Sequence, residues 1–167
     1  MKSEKLTKND IEKIQEEIDH RKLVLRPQIL KAVQEARAHG DLSENFEYYA
    51  ARRENGQNNS RIRYLENILR TAEIIEDEAA ADEVGLDKLV TVYFEEDKAE
   101  EDYRIVTAIR GNSRKGLISS ESPLGSALMG HRAGDRVEVK IDGGAGYFVQ
   151  IKKVVKQAED DDEIRKY

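Results

Sequence analysis

Apolar residues recur at Ile11, Ile14, Ile18, Leu25, Ile29, Val33 and Ala36, and a second series runs Tyr48, Ala51, Ile62, Leu65, Leu69, Ala72 and Ile75. Steps of three, four and seven within each series make one narrow stripe per segment, the pattern of a coiled-coil seam. Between them lies Gly40-Asp41-Leu42-Ser43-Glu44-Asn45, which breaks the helical pattern and predicts the tip of an antiparallel helical hairpin. Thr7 is a good N-cap for the first helix, with Asp10 in its acid-favouring first turn. Pro27 predicts a kink or a loosened turn, and Gly40 a C′ stop. For the second helix Asp41 can serve as N-cap with Glu44 three residues on, close to a capping box, and Ser43 competes for the role. Residues 52–61 are almost entirely polar, and Gly56 weakens that helix by about 1 kcal/mol relative to Ala. Two helices of roughly 30–35 residues would make a rod of about 50 Å, apolar at its base and polar toward its middle and tip.

From Leu89 the period changes from helical to alternating. Val90–Phe94, Tyr103–Val106, Val137–Ile141 and Tyr147–Ile151 are strand-like, and Asp142-Gly143-Gly144 predicts a hairpin turn between the last two. Pro123–Met129 predicts one short helix, with Ser122 as cap and Pro123 in its first turn. The expected fold is α+β: a helical hairpin over residues 1–77, a linker over 78–88, a small, mainly antiparallel β domain over 89–157, and an acidic, disordered tail over 158–167.

Composition limits the function classes. The chain is 37% charged and only 6% aromatic, which suits an elongated helical part beside a small compact one better than a single large core. The absence of cysteine excludes disulfides and thiolate metal sites and fits a reducing cytoplasm. No apolar run approaches the roughly 20 residues that cross a bilayer, and Met1–Lys5 lacks an apolar signal core, so a membrane partner is not expected. The net charge of -6 divides into -1 for residues 1–77, -2 for 78–157 and -3 for the last ten. A stand-alone nucleic-acid binder would be basic, so contact with nucleic acid must be local or come through a partner.

The chemistry-bearing candidates gather at the tip. Asp41 and Glu44 read on spacing alone first as capping acids, and compatibly as oxygen ligands for a hard cation such as Mg²⁺, which takes one or two protein carboxylates and leaves the rest to a partner. Arg37, Arg52 and Arg53 read either as charge balance for Glu35, Glu47 and Glu54 or as a basic track for phosphates. Among the aromatic residues there, Tyr48 fits the seam, while Phe46 or Tyr49 could stack on a base or pack on a partner. His20, His39 and His131 show no metal-ligand spacing, and no P-loop, dinucleotide fingerprint or Ser-His-Asp set occurs, so self-contained enzyme chemistry is not visible.

The run Ala36-Arg37-Ala38-His39-Gly40-Asp41-Leu42-Ser43-Glu44-Asn45, continued by Glu47-Tyr48, Gly56, Arg61-Ile62 and Leu65-Glu66, resembles the signature of bacterial Gre transcript-cleavage factors. Tyr103–Val106, Ile118-Ser119, Ser122-Pro123-Leu124, Leu128-Met129-Gly130 and Gly143-Gly144 resemble the same family, so that the likeness covers residues 7–155. It implies a coiled coil that enters the secondary channel of RNA polymerase and an FKBP-like domain that docks at the channel rim. It further implies that Asp41 and Glu44 hold a Mg²⁺ shared with the polymerase active centre and position the attacking water. Arg37 and Arg52 become contacts to the nascent RNA 3′ segment, and Ser122, Pro123 and Leu124 a polymerase-docking surface. The free protein is expected to be a cytoplasmic monomer that stimulates another enzyme rather than an enzyme itself.

Three features depart from the family pattern: the basic segment Thr107–Lys115, the acidic tail after Glu159, and the bulk of Phe46. Two alternatives stand beside cleavage stimulation. One is a channel-binding regulator or inhibitor without cleavage activity. The other is a prolyl isomerase or chaperone using Tyr93, Phe94, Tyr103, Tyr147 and Phe148 as an aromatic pocket.

Overall fold

A computed structural model describes residues 3–40, 45–76, 79–156 and Ile164. They fall into two compact units, one formed by Lys8–Glu73 and the other by Glu4–Thr7 with the chain from Ile74 onward. Residues 4–7, expected with the hairpin, thus belong to the second unit. Leu6 is fully buried and its carbonyl accepts the Ile75 N–H at 2.8 Å, beside the short pair β1 (Lys5–Leu6) and β2 (Glu73–Ile74).

In the first unit, α1 (Lys8–His20), a π-helical turn (Arg21–Leu25) and α2 (Arg26–Ala38) run into one another, and α3 (Phe46–Thr71) packs back along them. Pro27 explains the π turn. Its ring crowds the carbonyl four residues earlier and it has no N–H to donate, so the helix widens just upstream. The Arg26 N–H bonds the Arg21 carbonyl five residues back, and Asn58 Nδ2 donates to that same carbonyl at 3.1 Å while Arg21 Nη1 donates to Asn58 Oδ1 at 3.0 Å.

The seam buries Ile14, Ile18, Ile29 and Ala36 against Tyr48, Ala51, Ile62, Leu65 and Ile68. Ile68 takes the place expected for Leu69, which is half-buried, because the last step on α3 is three residues and not four. Each such side chain contributes about 1.5–3 kcal/mol on full burial. Midway the seam turns polar: Arg61, 7% exposed, donates to Glu17 at 2.9 Å, and Arg26 donates to Asn59 at 3.1 Å.

The second unit is a five-stranded sheet in the order β5-β4-β3-β7-β6, made of β3 (Lys88–Phe94), β4 (Ala99–Val106), β5 (Leu117–Ser119), β6 (Arg136–Val139) and β7 (Tyr147–Lys156). Only β4 and β5 pair in parallel. Strand β5 went unread because three residues carry too little periodicity. Strand β6 stops at Val139, two residues short of expectation, and the return turn follows, with Gly143 at φ 76° and the Gly144 N–H on the Ile141 carbonyl. Alternation places Val90, Val92, Ile105, Val137, Val139, Val149 and Ile151 in the core, closed by Leu128 of α4 (Pro123–Leu128).

The expected linker is corrected. Val84 and Leu86 are core residues, and the Lys88 ammonium, buried at the start of β3, donates to the carbonyls of Ala80 and Glu83. Asp87, at φ 62°, turns its carboxylate to Arg110 at 2.7 Å and Arg104 at 3.2 Å. Burial alone would raise the Asp87 carboxyl, but Arg110 first and then Arg104 outweigh it and hold it below the usual carboxylate range. Alternating acids and small residues hid this role, since two buried guanidiniums far along the chain create the need for it. Of the expected tail only Ile164 is described, and it is buried.

Candidate functional site at the hairpin tip

Helix α2 ends at Ala38, with the His39 N–H on the Ala36 carbonyl, and Gly40 follows at φ 116°. Helix α3 begins at Phe46 under an N-cap of Asn45, not of Asp41 or Ser43 as the sequence suggested. Asn45 Oδ1 accepts the Tyr48 N–H at 3.0 Å, while its Nδ2 donates to the Ala36 carbonyl at 2.6 Å. One amide side chain therefore caps the start of α3 and the end of α2 together, a task that a carboxylate, having no donor, could only half perform. Asn45 is the site residue that the sequence reading missed. Asp41 and Glu44, the proposed ligands, and Ser43 lie outside the described residues. The correction still bears on the two acids, because α3 has its cap without them.

One turn into α3, Tyr48 is 6% exposed and sits in the seam as expected. Its hydroxyl does more than the sequence showed. Arg37 of α2 stands with its guanidinium carbon 5.5 Å from the ring centroid. Arg37 foremost, with Arg52 of α3, holds the Tyr48 phenol below its ordinary range. The two arginines predicted to touch RNA thus act from opposite helices on one tyrosine. Phe46 and Tyr49 face outward, 85% and 45% exposed.

In the second unit, Ser122, Pro123 and Leu124 divide their tasks. The Ser122 hydroxyl is spent on the fold, accepting the Gly125 N–H at 3.0 Å and donating to the Ser119 carbonyl at 2.6 Å. Leu124 packs on the core, and Pro123 is the exposed member. In the basic segment Arg110 is fully buried in its ion pair, which leaves Arg114 and Lys115 at the surface. Phe94 stands edge-on to Tyr103 and stacked on Tyr147, each with centroids 6.1 Å apart, so these rings pack on one another and on the core. Burial, with Glu101 adding to it, pushes the Tyr103 phenol up to about 12. No helix among the described residues is long and apolar enough to cross a membrane.

Both units match known family models. Residues 4–74 match the N-terminal model of transcription elongation factors GreA and GreB, and residues 79–156 match the C-terminal one. The chain is 43% identical over 152 residues to transcription elongation factor GreA of Thermotoga neapolitana, covering 91% of this chain and 97% of that protein. The chain belongs to the GreA/GreB family of transcription elongation factors. GreA of Staphylococcus saprophyticus is 39% identical over 149 residues, 89% of this chain and 94% of that protein. Among solved structures, the GreA factor homolog Gfh1 of Thermus thermophilus is 26% identical over 92% of this chain and 99% of that one, with a TM-score of 0.43. The GreA/GreB match spans both units, so hairpin and sheet belong to one family.

Proposed function

We propose that this GreA/GreB-family factor binds bacterial RNA polymerase and stimulates the polymerase's own endonucleolytic cut in backtracked RNA, the hairpin entering the secondary channel and Asp41 and Glu44 acting at the polymerase active centre. The observation that carries the reading is the double cap of Asn45. It joins the two helix ends at 2.6 Å and 3.0 Å, so the N-cap of α3 asks for neither acid. Hard carboxylate oxygens suit Mg²⁺, and two of them suffice only where a larger site supplies the remaining ligands. Held there, the ion would offset charge on the attacking and leaving oxygens of the phosphodiester. Arg37 and Arg52 would meet phosphates of the RNA 3′ segment.

The factor then contributes no self-contained active site and acts in the cytoplasm, where the polymerase works, as a monomer when free. Pro123, exposed beside the Ser122 cap, is the residue of the second unit best placed to dock at the channel rim.

The test is a stalled elongation complex incubated with the wild type, Asp41→Asn and Glu44→Gln, scoring the released 3′ RNA fragment and polymerase binding. The wild type should shorten the RNA. Both variants should bind normally and lower the cleavage rate at least a hundredfold, on the scale of a lost electrostatic contact in a transition state. Binding without any cleavage by the wild type would make it a channel-binding regulator instead.

A further inference from the structure

Phe46 is the most exposed large apolar side chain among the described residues, 85% against 74% for Leu23, and it stands immediately after the capping residue at the hairpin tip. It adds nothing to the seam, which on this part of α3 consists of Tyr48, Ala51 and Asn58. Positions 46, 49 and 53 follow at helical steps of three and four, so Phe46, Tyr49 and Arg53 share the face turned away from the seam. The Tyr49 ring is held at 5.6 Å and 60° to that of Tyr48, over which the Arg37 guanidinium stands at 5.5 Å. Two outward aromatic rings thus stand on the stretch of hairpin that carries Arg37 and the exposed Arg52 and Arg53. An apolar protein pocket would accept the rings but leave the guanidiniums desolvated and without a counter-charge. A flexible polyanion with flat π faces matches both features, since stacked bases and tracked phosphates need this combination.

We propose that Phe46 and Tyr49 form a stacking platform for the unpaired bases at the RNA 3′ end, with Arg53 meeting an adjoining phosphate. The proposal rests on the functional reading above and makes Phe46 a substrate-binding residue that sets base preference. Purines, with the larger π face, are favoured at the position it covers.

Elongation complexes backtracked by two nucleotides, with a purine or a pyrimidine at the 3′ end, are cleaved under sub-saturating factor. Phe46→Ala should slow cleavage about tenfold on purine ends, the low to middle range of one lost base–aromatic stack. Phe46→Leu, which keeps apolar bulk without a π face, should be as defective, and Phe46→Trp should match or exceed the wild type. Purine preference should vanish in the Ala and Leu variants, while affinity for polymerase lacking RNA stays unchanged. Full activity of Phe46→Leu or of Phe46→Ala, or an equal loss of affinity for polymerase without RNA, would overturn the platform. A photoreactive benzoylphenylalanine at position 46 gives a readout independent of cleavage. A crosslink to the RNA 3′ nucleotide supports the platform even if the wild type stimulates no cut, an outcome that would refute only the functional reading. A crosslink to polymerase protein alone would refute the platform.

Discussion

Asn45 shows how much one side chain can decide at the residue scale. Its amide supplies an acceptor to α3 and a donor to α2 at once, at 3.0 Å and 2.6 Å. Asn45→Ala removes both bonds and should lower the stability of the hairpin by about 1–2 kcal/mol, measured by urea unfolding followed through helical circular dichroism. Asn45→Asp keeps the acceptor but not the donor and should fall between the two. Cleavage at saturating factor should drop in the same order, because the ends of α2 and α3 would no longer be joined through one side chain. Equal stability of all three proteins would remove Asn45 from this role. The sequence pointed to Asp41 or Ser43 for the cap, since both are ordinary N-cap residues. Asn45 takes the role because its amide also reaches the end of the preceding helix.

The helices and strands themselves were largely legible, because the period of apolar residues carries over directly into buried faces. The stripe on the first arm appears in the structure as Ile14, Ile18, Ile29 and Ala36, and the alternation from Leu89 as Val90 and Val92. The effect of Pro27 was foreseeable as a loosened turn. That the turn is π-helical, with Asn58 bonded into it, depended on α3 lying alongside. Gly56 shows the opposite case, an element-scale weakness without a local cause. A methyl group there would meet nothing within 4 Å, so the glycine answers no packing demand within the chain. Gly56→Ala should raise hairpin stability by about 1 kcal/mol in a urea melt, through helix propensity and a less flexible unfolded chain. An unchanged or lowered midpoint would show that the backbone at this position is not regular helix in solution.

Across the whole molecule, the second unit is tied together by charges from distant parts of the chain. Glu95, just past β3, takes two bonds from Arg136 of β6 at 2.7 Å and 2.9 Å and one from Gln150 of β7 at 3.1 Å. Arg136 first, then Gln150, bring its carboxyl down from 4.5 to about 2. A depressed carboxylate stabilises the fold above its unfolded value, and that stabilisation is lost as pH falls through the folded one. The melting temperature of the wild type should therefore exceed that of Glu95→Gln at neutral pH. The gap should hold down to about 4.5 and close as pH approaches about 2. A gap independent of pH would mean that the three strands are not joined through an ionised Glu95.

By itself the amino-acid order determined the helical hairpin, its polar middle and the alternating strands, because each is written in local spacing and residue type. Tertiary structure decided which residue caps α3, that Arg37 stands over the Tyr48 ring, and that Asp87 and Lys88 of the supposed linker serve buried partners. These depend on side chains far apart in sequence meeting at hydrogen-bond distance, and local periodicity holds no record of such pairs.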